Sequence, residues 1–283
     1  MKPTSPFGEA DAADERALPD EDYRFTLGIS RGSIAEFFAP SPEHDALLRE
    51  RRDWLTRDPD LYAGLLPDGV AAVHELCELA NDWVSPDGFA ITDHGNPLEK
   101  LLALSQRLEP DLVLVQPNEF TVPISVGGCV CFPSSWSLPE KLGLSVSEIH
   151  KVVPGLNAVL ATRIDKLLAA LKPGEGWIRS NWGATAVDEW NQHPERGLPE
   201  ITLPIDPERG WLRREHQILF RLPRTSCLVF GIRLDHTLLA RLLDQRELAQ
   251  RWARGLQSMP LEMLKYKRLD RVREGLVQAL TRH

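Results

Sequence analysis

One histidine, His150, has the surroundings that a metal or haem-iron ligand requires. It lies in the stretch EIHKVVPGLN, where a helical turn ends at a Val-Val-Pro-Gly sequence. The Pro154-Gly155 pair should fix the backbone at that corner, and a ligand needs a fixed backbone because metal–ligand distances tolerate errors of only about 0.2 Å. An imidazole nitrogen is also a usual axial ligand of haem iron. The residues leave open an alternative, a histidine that caps a helix or lies at the surface.

A second candidate lies in the stretch RSNW, where Arg179 and Asn181 would share one face of a strand. A buried arginine needs an anionic partner. We therefore expect Arg179 either to form a structural ion pair or to hold a carboxylate or haem propionate. A guanidinium can bind such a group through two parallel hydrogen bonds.

The densest polar run in any predicted strand is RREHQILFRLPRT, residues 213 to 225. Strand alternation divides it between two faces, one carrying Arg213, Glu215 and Gln217 and the other carrying Arg214, His216 and Ile218. A strand that is polar on both faces is poor core material. The run therefore either lines a site or lies at a solvated edge.

Several common chemistries have no support in the sequence. It contains no Gly-x-Ser-x-Gly elbow for acyl hydrolysis and no glycine loop of the phosphate-binding or dinucleotide-binding kind. The cysteine spacing fits neither a zinc site nor an iron–sulfur cluster. All four cysteines lie in apolar stretches, so we expect buried, reduced thiols at Cys77, Cys129, Cys131 and Cys227.

The elements that must position these residues change in type along the chain. Helical patterns occupy about residues 41 to 110, and β-rich segments such as DLVLVQ and EFTVPISVG follow. The Gly127-Gly128 pair suits a tight hairpin turn between strands. A helix then interrupts the strands, and helices close the chain. Separate runs of strands and helices indicate an α+β fold with an antiparallel sheet.

Composition limits the partners and the location. The net charge of -8 over 283 residues disfavours a nucleic acid or an anionic membrane as partner. No apolar run approaches the about 18 residues that a membrane span needs. Residues 1 to 22 are acidic and lack an apolar core, so we expect a disordered leader rather than a signal peptide, then a single domain over residues 23 to 283. A cytoplasmic protein is the expectation.

Four stretches of the sequence resemble one known family. VCFPSSWSLPEKLG, IHKVVPGLN, RSNW and REHQILFRLPRT occur in the order, and with roughly the spacing, of the haem-dependent oxidative N-demethylase-like proteins. The similarity extends from about Tyr23 to Lys267.

The resemblance implies a PAS-like fold, in which an antiparallel sheet and flanking helices enclose a haem b. It also implies a monooxygenase activity, the oxidative demethylation by O2 of a small methylated amine such as dimethylamine to methylamine and formaldehyde. Electrons would come from NAD(P)H through a separate flavin and iron–sulfur reductase. The absence of dinucleotide and iron–sulfur motifs from the chain agrees with that division.

The resemblance also suggests roles by position. His150 matches the family's conspicuous histidine and is the expected iron ligand. Arg179, Arg221 and Arg224 match its arginines and are expected to reach the haem propionates. Glu215 matches an acidic residue that is expected either near the substrate amine or in contact with the arginines, and Glu215 or Arg179 is expected to assist catalysis at the O–O cleavage step.

The chain departs from the family pattern, Arg-x-Glu-Arg-Gln-Thr, at two positions. His216 stands in place of the second arginine and Ile218 in place of the threonine. The change would alter the polarity of the pocket or a propionate contact, or would make His216 itself the axial ligand. Two other functions remain compatible with the resemblance: a haem-binding PAS sensor without turnover, and a non-catalytic homologue that acts as a structural partner.

Overall fold

A computed structural model describes residues 18–80 and 95–282 of the chain. In these residues seven strands form one sheet in the order β1-β5-β6-β7-β3-β4-β2, with every neighbouring pair antiparallel. The strands are β1 Ser30–Gly32, β2 Ala63–Leu65, β3 Asp111–Pro117, β4 Pro123–Cys129, β5 Gly176–Thr185, β6 Trp211–Arg221 and β7 Leu228–Leu238. The α+β class with an antiparallel sheet is confirmed.

Helices surround the sheet in three groups along the described chain. The first group is α1 Ile34–Phe38, α2 His44–Arg57, α3 Pro59–Tyr62, α4 Val70–Ala80 and α5 Pro97–Ser105. The second group, between β4 and β5, is α6 Val146–His150 and α7 Leu156–Ala170. The third is α8 Leu239–Leu243, α9 Arg246–Ser258, α10 Leu261–Tyr266 and α11 Arg273–Thr281. Single 3₁₀ turns lie at Pro67–Gly69, Pro139–Lys141 and Pro194–Arg196.

Side-chain alternation gives the sheet two differently covered faces. The front face carries the odd-numbered residues of β3, β5 and β6 and the even-numbered residues of β7, and its apolar end packs against α7. The back face carries the alternate residues, among them Ile218, Phe220 and Val229, and packs against α1, α4 and α5. The C-terminal helices cover another part of the back face around Trp182 and Leu212. Both faces are thus buried over much of the sheet.

The expected hairpin turn at Gly127-Gly128 is wrong. Both glycines lie inside β4, paired with Leu114 and Val113 of β3. A Cβ atom on Gly128 would lie 2.3 Å from the carbonyl oxygen of Leu112, so the glycine permits a close approach of two strands. The turn is at Asn118, whose side-chain Oδ1 accepts hydrogen bonds from two backbone N–H groups ahead of it.

The N-terminal segment joins the core earlier than expected. Leu18 is buried in the cluster formed by the C-terminal helices, and Asp20 and Asp22 pair with Arg254 of α9. The predicted leader, residues 1 to 22, therefore includes packed residues, and its first 17 residues lie outside the described part.

All four cysteines are free and buried, which confirms the prediction of buried, reduced thiols. Across the described ranges, none of the helices has the length and apolar character needed to cross a membrane.

A buried ion pair ties the first helical group to the sheet. Arg51 on α2 and Asp111 at the start of β3 are almost fully buried, and their Nη1 and Oδ1 atoms lie 2.6 Å apart. Asp111 also accepts hydrogen bonds from the backbone N–H groups of Cys131 and Phe132, each at 2.9 Å. One carboxylate thus joins α2, β3 and the segment that leaves β4.

Replacing Asp111 by Ala should strongly destabilise the fold, because it leaves the Arg51 charge buried and two backbone N–H groups without partners. We expect the free energy of unfolding, measured by urea denaturation, to fall by about 3–5 kcal/mol. Asp22→Ala, at the exposed pair with Arg254, is the control and should leave the unfolding midpoint unchanged. An equal loss in both variants would contradict this account of Asp111.

Candidate functional site

A polar patch interrupts the apolar front face where β5 pairs with β6. The register places Arg179 of β5 opposite Gln217 of β6 and Asn181 opposite Glu215. All four side chains are on the front face, as strand alternation predicted. The polar strand therefore lines a partly enclosed site and does not lie at a solvated edge, since β6 has neighbours on both sides.

Glu215 is the centre of this patch. Its Oε2 accepts a hydrogen bond from Gln217 Nε2 at 2.8 Å and a longer one from Asn181 Nδ2 at 3.4 Å. Within the part of the chain that the structure describes, no hydrogen bond is made to Oε1. Two side-chain amides thus hold Glu215 Oε2, whereas Oε1 makes no hydrogen bond with the described residues.

Two residues from the end of α10 complete the patch, and nothing in the sequence pattern singled them out. Lys267 Nζ donates hydrogen bonds to Asn181 Oδ1 at 3.1 Å and to the carbonyl oxygen of Trp182. Its stem is partly exposed but its ammonium group is turned inward, and burial lowers the pKa of Lys267 to about 8 although Glu215 opposes the shift. The neighbouring Tyr266 has its pKa raised by burial and by the Glu215 charge.

His150 lies at the end of α6, on a corner whose geometry is fixed. Ser145 and Glu148 form a capping box at the start of α6, and the side-chain amide of Asn157 on α7 donates to the carbonyl oxygen of Ser147 at 2.8 Å. The chain turns into α7 through Gly155, whose φ of 73° is in the left-handed region. The capped helix and the glycine produce the turn after His150 that the sequence predicts.

The imidazole of His150 is neutral and has an unsatisfied nitrogen. Its Nδ1 atom is buried and has no hydrogen-bond partner in the structure. Burial lowers the pKa of His150 below its usual 6.5, and the nearby Arg179 charge lowers it further. Both effects favour the neutral ring, which is the protonation state in which an imidazole can bind a metal.

Arg179 is the least satisfied charge of the patch. Its guanidinium is buried, its Nε has no hydrogen-bond partner, and burial lowers its pKa despite the opposing charge of Glu215. Among residues 18–80 and 95–282, no carboxylate forms an ion pair with it. The residue as a whole is partly exposed, so its charge is only partly shielded from solvent, and an anionic group bound beside it would compensate that charge.

The structure does not bring the other sequence candidates to this patch. Arg221 donates to the carbonyl oxygens of Leu168 and Leu171 at the end of α7 and to that of Ser226. Arg224 is exposed at the β6–β7 turn and pairs with Glu78 of α4. The expectation that these two arginines reach a ligand with His150 is therefore corrected, since local partners bind both guanidinium groups.

His216 is on the back face, opposite to Glu215 and Gln217. Its Nε2 lies 2.5 Å from Asp235 Oδ2 and its Nδ1 lies 3.4 Å from Ser180 Oγ, so both ring nitrogens have protein partners. This location argues against His216 as the alternative axial ligand. Ile218 is fully buried in the back-face core. The two departures from the family pattern therefore do not change the polarity of the front-face patch.

Two buried arginines of the front face should respond oppositely to replacement by methionine. Arg213 is satisfied by Ser134 Oγ, by His236 Nε2 and by the carbonyl oxygens of Phe132 and Trp190. We expect Arg213→Met to lower the free energy of unfolding of the ligand-free protein by about 3 kcal/mol or more. Arg179→Met should raise it by about 1–3 kcal/mol, because it removes a buried charge without an ion-pair partner. Urea denaturation of both variants measures the difference, and a loss for Arg179→Met as large as that for Arg213→Met would refute it.

One family model matches most of the chain. The sequence model of the family described as haem-dependent oxidative N-demethylase, alpha subunit-like, matches residues 29–277. The matched range includes every residue of the polar patch on β5, β6 and α10, and it includes the His150 corner. The chain therefore belongs to the haem-dependent oxidative N-demethylase, alpha subunit-like family.

Proposed function

We propose that this chain is the haem-binding subunit of a monooxygenase that removes a methyl group from a small, dimethylamine-like amine. In the balanced reaction the N-methylamine, O2, two electrons and two protons give the demethylated amine, formaldehyde and water. The observation that carries the proposal is a neutral histidine with a buried, unpartnered nitrogen close to a buried arginine that lacks an anion.

The residues present fit the needs of a haem b. A haem requires a nitrogen ligand for its iron, cations for its propionates and an apolar surface for its ring. His150 offers the ligand and Arg179 offers the cation. Trp177, Leu219 and Phe230 form an apolar surface beside the polar patch on the front face. We infer that His150 binds the iron and Arg179 a propionate, within a PAS-like arrangement of sheet and helices.

The chain's own residues account for amine binding and orientation. A methylated amine is a cation at neutral pH, and its N–H group can donate a charge-assisted hydrogen bond to a carboxylate. Glu215 Oε1 is available for that bond, while Gln217 and Asn181 hold Oε2. This anchor would fix the nitrogen and thereby the direction of its methyl group.

Bound haem would supply the activation of O2. The description of the family as an alpha subunit indicates a protein that works with partner subunits. We infer that one partner is a flavin and iron–sulfur reductase that passes electrons from NAD(P)H, because the chain contains no motif for binding either group. A cytoplasmic location fits this chemistry.

Replacing His150 by Ala should abolish haem retention, because His236, another imidazole on the front face, already has its Nε2 bonded to Arg213. The Soret absorbance of protein reconstituted with haem and passed over a desalting column measures the loss. His216→Ala is the matched control and should retain haem like the unsubstituted chain. The reverse result, with haem lost only in His216→Ala, would overturn the assignment of the ligand.

Replacing Glu215 by Gln should weaken amine binding by about 10- to 100-fold, since one charge-assisted hydrogen bond is lost. Binding of dimethylammonium to the haem-loaded chain is measured by titration calorimetry, and formaldehyde release is measured with a reductase. Glu200→Gln, at an exposed pair with Arg268, is the control and should bind normally. A haem-loaded wild-type chain that binds amine but never releases formaldehyde would favour a sensor over an enzyme.

A further inference from the structure

The contacts around Glu215 assign a positioning role to Lys267. We propose that Lys267 fixes the side-chain amide of Asn181, so that Glu215 presents a single free carboxylate oxygen to a protonated secondary or tertiary amine. This inference rests on the proposed function, because it assumes that Glu215 anchors the amine. It adds a residue and a limit on the substrate class that the proposed function does not contain.

The donor chemistry of Lys267 determines how Asn181 is oriented. An ammonium group only donates hydrogen bonds, so Asn181 must present its Oδ1 to Lys267 Nζ, 3.1 Å away. The NH2 group of the same amide then faces Glu215 Oε2 at 3.4 Å. The opposite orientation would place Oδ1 against the carboxylate and NH2 against the ammonium group. The charge of Lys267 therefore selects one of two amide orientations.

The position of Lys267 Nζ is itself fixed from two further directions. The carbonyl oxygen of Trp182 accepts a second hydrogen bond, and Nζ lies 5.0 Å from the centre of the Trp182 ring. These contacts hold the ammonium group at the edge of β5. At this edge β1 pairs only with residues 176 to 178, so the part of β5 that Lys267 contacts has no neighbouring strand there. Lys267 thus lies at an exposed helix end, and its ammonium group points toward the interior of the protein.

The carboxylate oxygen that stays free determines which amines can bind. Glu215 Oε2 accepts hydrogen bonds from Gln217 and Asn181, so an incoming ligand must bind to Oε1. A protonated secondary or tertiary amine has an N–H group for that bond. A quaternary ammonium ion has none, and it would leave the carboxylate paired only by charge. The site should therefore prefer dimethylammonium and trimethylammonium to tetramethylammonium.

The charge state of Lys267 adds a pH dependence that the substrate alone would not give. The charged groups that face Lys267 are Glu215 on β6 and Arg179 on β5, and burial, with the help of Arg179, lowers the pKa of Lys267 to about 8. Tyr23 and Tyr266, which are close to these groups, have raised pKa values and stay neutral there. Amine binding should weaken as the pH rises through about 8, whereas an alkyl ammonium loses its own proton only near about pH 10.

Titration calorimetry of dimethylammonium into the full-length, haem-loaded chain between pH 6.5 and 9.5 tests the role. We expect the wild-type affinity to fall about 10-fold across pH 8. Lys267→Met should bind about 10-fold more weakly at pH 7 with no further fall up to pH 9. Lys267→Arg keeps its charge, so it should restore binding at pH 7 and remove the alkaline fall. Asn181→Leu should resemble Lys267→Met, and the double variant should be no worse than either single variant.

Lys265→Met is the matched control, because Lys265 lies two residues earlier, is exposed and pairs only with Glu262 in the described chain. It should behave like the wild type. If Lys267→Met has the affinity and the pH dependence of the wild type, the positioning role alone is overturned. If the wild type binds tetramethylammonium as tightly as dimethylammonium, the limit on substrate class is overturned. If Lys267→Met does not fold, Lys267→Arg decides through the alkaline fall. No binding of dimethylammonium by the wild type at any pH would instead overturn the amine site of the proposed function.

Discussion

The register between β5 and β6 is the constraint on which the candidate site depends. Because side chains alternate along a strand, a slip of one residue would move Glu215 and Gln217 into the back-face core and bring His216 to the front. Apolar residues on the same strands, such as Ile218 and Phe220 on the back face, secure the register. The geometry of the polar patch is thus a consequence of how the hydrophobic core is packed.

Buried polar side chains in this protein differ in how many hydrogen bonds they make. Arg51 with Asp111, and Arg213 with its carbonyl, hydroxyl and imidazole partners, form hydrogen bonds within the chain that hold segments together. Arg179 and His150 keep buried nitrogens without partners. Unpaired buried nitrogens also occur at Arg51 Nε and His193 Nε2, so such an atom indicates a ligand site only together with its surroundings. At Arg179 and His150 those surroundings are the polar patch of β5 and β6 and the turn that follows α6.

The sequence was informative where the physical rule is local. The period of two in β6 correctly divided its polar residues between faces, and the Pro-Gly sequence after His150 correctly indicated that the chain turns there. Residues whose roles depend on distant partners could not be recognised. Lys267 reaches Asn181 across 86 positions of sequence, and Arg221 and Arg224 resembled ligand-binding arginines until their partners on α7 and α4 were known. The prediction of a hairpin turn at Gly127-Gly128 was wrong because glycine is favoured both in tight turns and where two strands pack closely.

Arg221, although it does not take part in the candidate site, fixes a helix that leads away from that site. Its guanidinium binds carbonyl oxygens at the C-terminal end of α7, so this end of the helix is attached to the end of β6. The opposite end of α7 begins after Gly155, next to the turn that holds His150, and Asn157 binds it to Ser147 of α6. Side-chain hydrogen bonds to backbone carbonyl groups therefore anchor α7 at both ends, and a substitution of Arg221 would act on the position of His150 through the whole length of the helix.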